Sequence, residues 1–106
     1  MALMEKLKIR RALEKEMDLT LFQTPEYGQE KGYSQVYRTI ISSRSHEEAL
    51  NYLFKKFSVP DLMPKEFEGR FMGTGDIVLI DEYRGGQHYF QLKSGGWKKI
   101  NRVHLR

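Results

Sequence analysis

No uninterrupted apolar run in the chain is longer than the four residues Ile77-Val78-Leu79-Ile80. A run this short and this rich in β-branched residues reads as a strand covered on both faces. Before it stands Gly73-Thr74-Gly75-Asp76, a glycine-rich loop that leads into a strand and lacks the helix N-terminus a phosphate site would need. It reads as a turn in which Asp76 bonds loop amides. Arg70, just after Gly69, is spaced to pair with Asp76 or with a partner's carboxylate.

Gly85-Gly86 follows the run and signals a two-residue hairpin turn of type I′ or II′. Such a turn sets Arg84 opposite Gln87, Tyr83 opposite His88, Asp81 opposite Phe90 and Leu79 opposite Leu92. Leu79, Phe90 and Leu92 then share the main core face. Ser94-Gly95-Gly96 turns the chain again, and Trp97 to Ile100 forms a third short strand anchored by the indole.

Upstream, residues 3–16 are rich in helix formers and hold no Gly or Pro, so they are expected to be helical. Their apolar side chains do not gather on one face, which suits an N-terminal helix or arm outside the main domain at 17–106. Met17 to Phe22 alternates, with Met17, Leu19 and Leu21 on one face, as in a half-buried strand. Thr24 to Gly32 holds a proline and two glycines and reads as a loop. Tyr33 to Ile41 resumes the strand signal. Ser45-His46-Glu47-Glu48 is a capping box, and it opens a helix whose apolar residues Ala49, Leu50, Leu53, Phe54 and Phe57 recur at three- and four-residue steps. Pro60 and Pro64 stop that helix and hold Val59 to Lys65 extended. The expected fold class is α+β: a small, predominantly antiparallel sheet with one packed amphipathic helix and an N-terminal helix.

Composition narrows the function classes. A chain of 106 residues with 40% hydrophobic content builds one core, and the absence of cysteine removes thiol nucleophiles, disulfides and thiolate metal sites. No segment approaches the roughly 18 apolar residues of a membrane span, and the charged start lacks a signal-peptide core, so a cytoplasmic protein is expected. The net charge of +4 is unevenly spread. Residues 88–106 carry Lys93, Lys98, Lys99, Arg102 and Arg106 and no acid, whereas residues 71–87 carry Asp76, Asp81 and Glu82 against Arg84. Such a basic end suits an acidic protein, a nucleic acid or an anionic lipid surface, and equally a solvated tail.

The catalytic inventory is thin. His46, His88 and His104 are far apart in sequence, no nucleophile, base and orienting group recur at a known spacing, and no metal-ligand spacing appears, so no enzyme, metal or cofactor is expected. His88 beside the turn lies within reach of a carboxylate but reads as a surface residue. Tyr89, Phe90 and Trp97 among the closing cations make single-stranded DNA or RNA the alternative ligand, although Phe90 and Trp97 are also the best core candidates of their strands.

Tyr33 to Tyr37, Phe67-Glu68-Gly69-Arg70, Gly75-Asp76-Ile77-Val78, Tyr89-Phe90 and Gly96-Trp97-Lys98-Lys99-Ile100 together resemble the YodL-like family of small bacterial domains. The likeness spans about two-thirds of the chain. It departs at Lys93, where the family pattern has an acidic residue before the serine, and at Trp97, where it has phenylalanine. The resemblance implies a non-enzymatic modulator of cell shape that acts on MreB-type actin-like filaments in Gram-positive rods. On that reading the partner-binding residues are the exposed groups of the closing hairpin and tail: Arg84, His88, Lys98, Lys99 and Arg102.

Overall fold

Alternation along the first strand dictates how the layers meet. In the computed structural model, which describes residues 14–105, β1 (Lys15–Gln23) buries Met17, Leu19 and Leu21 on one face and Asp18 and Thr20 on the other. A strand buried on both faces must lie inside a sheet. Among the described residues the sheet has five antiparallel strands in the order β2-β1-β3-β4-β5, with β2 at Ser34–Ser43, β3 at Ile77–Asp81, β4 at Gln87–Lys93 and β5 at Gly96–Ile100. β1 and β2 form a hairpin. The chain then crosses the sheet through helix α1 (His46–Lys56) to set β3 on the far side of β1, and β3, β4 and β5 run on as a meander.

Helix α1 starts where the capping box predicts. Ser45 is extended, and its hydroxyl accepts the Glu48 amide at 3.1 Å, satisfying one of the free donors of the first turn. Glu47 and Glu48 stand at the positive end of the helix dipole, Lys55 and Lys56 at the negative end. Ala49, Leu50, Leu53 and Phe57 pack on Leu19, Leu21, Val78 and Ile80. Phe54, expected in that stripe, is exposed. It lies about 100° past Leu53 around the helix, beyond the arc that faces the sheet. Phe57 closes one end of the core with Phe67 and Tyr37, at ring-centroid separations of 4.6 and 4.8 Å.

The β3–β4 register departs from the two-residue turn. Observed pairs are Asp81 with Gln87, Ile80 with His88, Leu79 with Tyr89 and Val78 with Phe90. The Asp81 carboxylate accepts the Tyr83 amide at 2.8 Å and ends the strand early, so the connection runs from Glu82 to Gly86 through a short 3-10 turn. An odd shift in pairing exchanges the faces. Val78 and Ile80 therefore join Phe90 and Leu92 against the helix, and Leu79 points to the opposite side. Val59 to Lys65 is likewise not wholly extended, since Pro60 occupies the first position of a 3-10 turn over Pro60–Leu62. The helix expected over 3–16 falls outside the described residues except at its end, where Lys15 and Glu16 are already strand, drawn there by pairing with Ser43 and Ser42. Among the described residues no helix is long and apolar enough to cross a membrane.

Truncating Leu53, which is fully buried, to alanine should cost roughly 2–5 kcal/mol in urea unfolding. Phe54→Ala should cost about 1 kcal/mol or less, because the helix does not bury that ring. Equal losses would contradict the helix orientation described here.

Candidate functional site

Asp76, just before β3, has no exposed surface, and a carboxylate so placed needs partners. It finds three. Its Oδ2 accepts the Gly73 amide and the Gln23 side-chain amide, each at 3.0 Å, and Arg70 Nη2 approaches Oδ1 to 2.9 Å. That last contact is an ion pair and not an aligned hydrogen bond, for Oδ1 receives no directed N–H. Arg70 is itself held: Nε donates to Thr24 O, Nη2 to Thr24 Oγ1, and the guanidinium lies 4.1 Å from the centroid of Tyr27. Gln23 completes the knot, accepting the Arg70 amide and donating to the Arg70 carbonyl. The end of β1, the segment 67–75 and the start of β3 are thus tied at one point.

Two glycines are required by this arrangement. A Cβ on Gly69 would lie 2.2 Å from the Phe67 ring and 2.7 Å from Gln23 Oε1, and the ring is pinned by Phe57. Gly75 has φ of 101°, which disfavours side chains. Its carbonyl accepts the Tyr33 hydroxyl at 2.6 Å.

The expected partner-binding residues fall in two groups. Lys98 and Lys99 are exposed on β5, an edge strand, and project to opposite faces; Arg102 is exposed in a 3-10 turn just beyond it. Arg84 is exposed in the β3–β4 connection, at the sheet end toward which β5 runs. His88 is different. It is half-buried opposite Ile80, not Tyr83, with Nε2 3.0 Å from the Gly85 carbonyl and 3.4 Å from Glu82 Oε1.

His46, the first residue of α1, also donates through Nε2 to Glu82 Oε1, and its ring centroid lies 4.6 Å from that of His88. The Glu82 carboxyl is held below its ordinary range, first by the hydrogen bond from His46. Spacing gave no hint of this cluster, since the three residues are brought together only by the helix docking and the five-residue connection. A shallow depression of about 420 Å³ beside it is bordered by His46, Leu50, Phe90 and Trp97.

The profile of the YodL-like domain matches residues 8–102. The chain belongs to the YodL-like family. It is 49% identical over 86 residues to the Bacillus subtilis protein described as uncharacterized protein YodL, a match that covers 81% of this chain and 83% of that protein. No solved structure matches. Much of the stretch that carries the family likeness, Gly69-Arg70 and Gly75-Asp76 in particular, builds the buried knot and not an exposed site.

On the opposite side of the sheet from α1, Arg38 grips Asp18 with Nε–Oδ1 and Nη2–Oδ2 distances of 2.9 and 2.5 Å. These hydrogen bonds hold the Asp18 carboxyl below its ordinary value of 3.8. A lowered folded value means that the stabilisation is complete above the unfolded value and is lost as pH falls through the folded one. Arg38→Met should therefore lower the melting temperature at pH 7, and its deficit relative to the parent should shrink as pH falls from the ordinary carboxylate value through the lowered folded one. A deficit unchanged across that range would contradict the assignment.

Proposed function

We propose that this protein is a cytoplasmic, non-enzymatic protein-binding module that docks on an MreB-type actin-like filament and modulates cell shape. The observation that supports it is the exposed basic margin: Lys98 and Lys99 on the edge strand β5 and Arg102 just past it, in a segment with no acidic residue after Glu82. A margin of this kind offers an acidic protein surface cations from both faces of a strand. The filament as target follows from the family resemblance.

The same lysines also guard an edge strand against pairing with other chains, so their charge has a structural use as well. The nucleic-acid reading shares these cations. Of the three aromatics that would stack on bases, Phe90 and Trp97 are packed against the core, which leaves Tyr89.

Co-sedimentation with polymerised MreB-type protein tests the proposal. The parent should pellet with filaments, and the triple variant Lys98→Gln, Lys99→Gln, Arg102→Gln should bind several-fold more weakly at an unchanged melting temperature. Binding to single-stranded DNA with a steep salt slope, together with indifference to filaments, would overturn it.

A further inference from the structure

We propose that His46, Glu82 and His88 form a binding site for a divalent transition-metal ion of the zinc class. This stands apart from the filament reading, since it needs no partner.

The donor atoms of the three side chains all lie within 4.8 Å of one another. In a tetrahedral site with bonds of 2.0–2.1 Å, neighbouring donors are about 3.3–3.5 Å apart. His88 Nε2 and Glu82 Oε1, at 3.4 Å, already have that spacing. To reach that geometry the widest separation would close by up to about 1.4 Å and the short His46–Glu82 contact would open to the same spacing, both by side-chain rotation.

Each ligand sits on a fixed backbone. His46 follows the Ser45 cap, and His88 is held in the ladder opposite Ile80. Glu82 opens a connection whose ends are tied by its own amide donating to the Gly86 carbonyl at 3.0 Å. Within that connection Tyr83 has φ of 62°, a left-handed conformation that costs a tyrosine energy and that persists only where its surroundings impose it. The strained turn is the one that delivers Glu82 to the Nε2 atoms of both rings.

Access and chemistry agree with a metal. The side chains are 32%, 11% and 20% exposed for His46, Glu82 and His88, so the site is half-buried, with water able to complete the coordination. Two imidazoles and a carboxylate suit zinc, cobalt and nickel, and with no cysteine in the chain the site offers nothing to soft thiophilic ions. Binding requires both imidazoles neutral, and the ion takes the place of the protons they share with Glu82 and the Gly85 carbonyl. The effect on the fold is to clamp the first turn of α1 to the β3–β4 connection and to β4. Without an ion the same three groups are an ordinary histidine–carboxylate contact, and the experiment separates the two.

Cobalt(II) titrated into the 106-residue chain should give a visible absorption band that saturates at one equivalent and is displaced by zinc. Zinc at a hundred-fold excess over its dissociation constant should raise the melting temperature by roughly 10 °C. His46→Gln and His88→Gln should each abolish the shift, while His104→Gln, at an exposed position remote in sequence, should keep it. Scans without metal establish that each variant is folded. Should either variant fail to fold, the cobalt band of the parent decides the matter. No saturable band and no zinc shift in the parent would overturn the proposal, as would a shift retained in folded His46→Gln and His88→Gln.

Discussion

A carboxylate with no exposed surface, that of Asp76, is the constraint on which the rest of this molecule depends. A buried charge left unpaired costs several kcal/mol, more than a small domain can tolerate. The chain therefore has to bring it Arg70, the Gly73 amide and the Gln23 amide. Meeting that demand fixes where the irregular segment after α1 re-enters the sheet and which end of β1 it touches. Met72 adds a backbone bond to the last turn of the helix, donating to the Phe57 carbonyl at 3.0 Å. Helix, loop and sheet are thus linked around one charge, and Gly69 and Gly75 are the residues that let the backbone come close enough.

This reading changes what the family likeness means. Gly69-Arg70 and Gly75-Asp76, which read in the sequence as a turn with an arginine placed to pair, have polar groups that face inward and bond one another. Their chemistry is committed to the fold. The contacts proposed with other molecules lie elsewhere, at the basic margin of β5 with Arg102 and at the half-buried histidine pair with Glu82.

Local signals were legible in the sequence and long-range ones were not. The Ser45 cap, the inward face of β1 and the pairing of Arg70 with Asp76 all depend on neighbours a few residues apart or on strict alternation, and the structure contains each of them. Gln23 could not be foreseen as the third member of the knot, because it lies about fifty positions away and glutamine advertises no partner. The β3–β4 register departs from the two-residue turn for a specific reason: Asp81 caps the turn through its side chain, which moves the bend upstream of the two glycines. The meeting of His46 with Glu82 and His88 required both that register and the docking of α1. Neither is encoded in spacing.

A double-mutant cycle between Arg70 and Asp76 tests the central claim most directly. Arg70→Met, Asp76→Asn and the double variant would be compared with the parent by urea unfolding. The account predicts that either single change is severe and that the second adds little once the first is made, with a coupling of about 2 kcal/mol or more. Single losses that simply add, to within about 0.5 kcal/mol, would show that the two residues act independently and would contradict it.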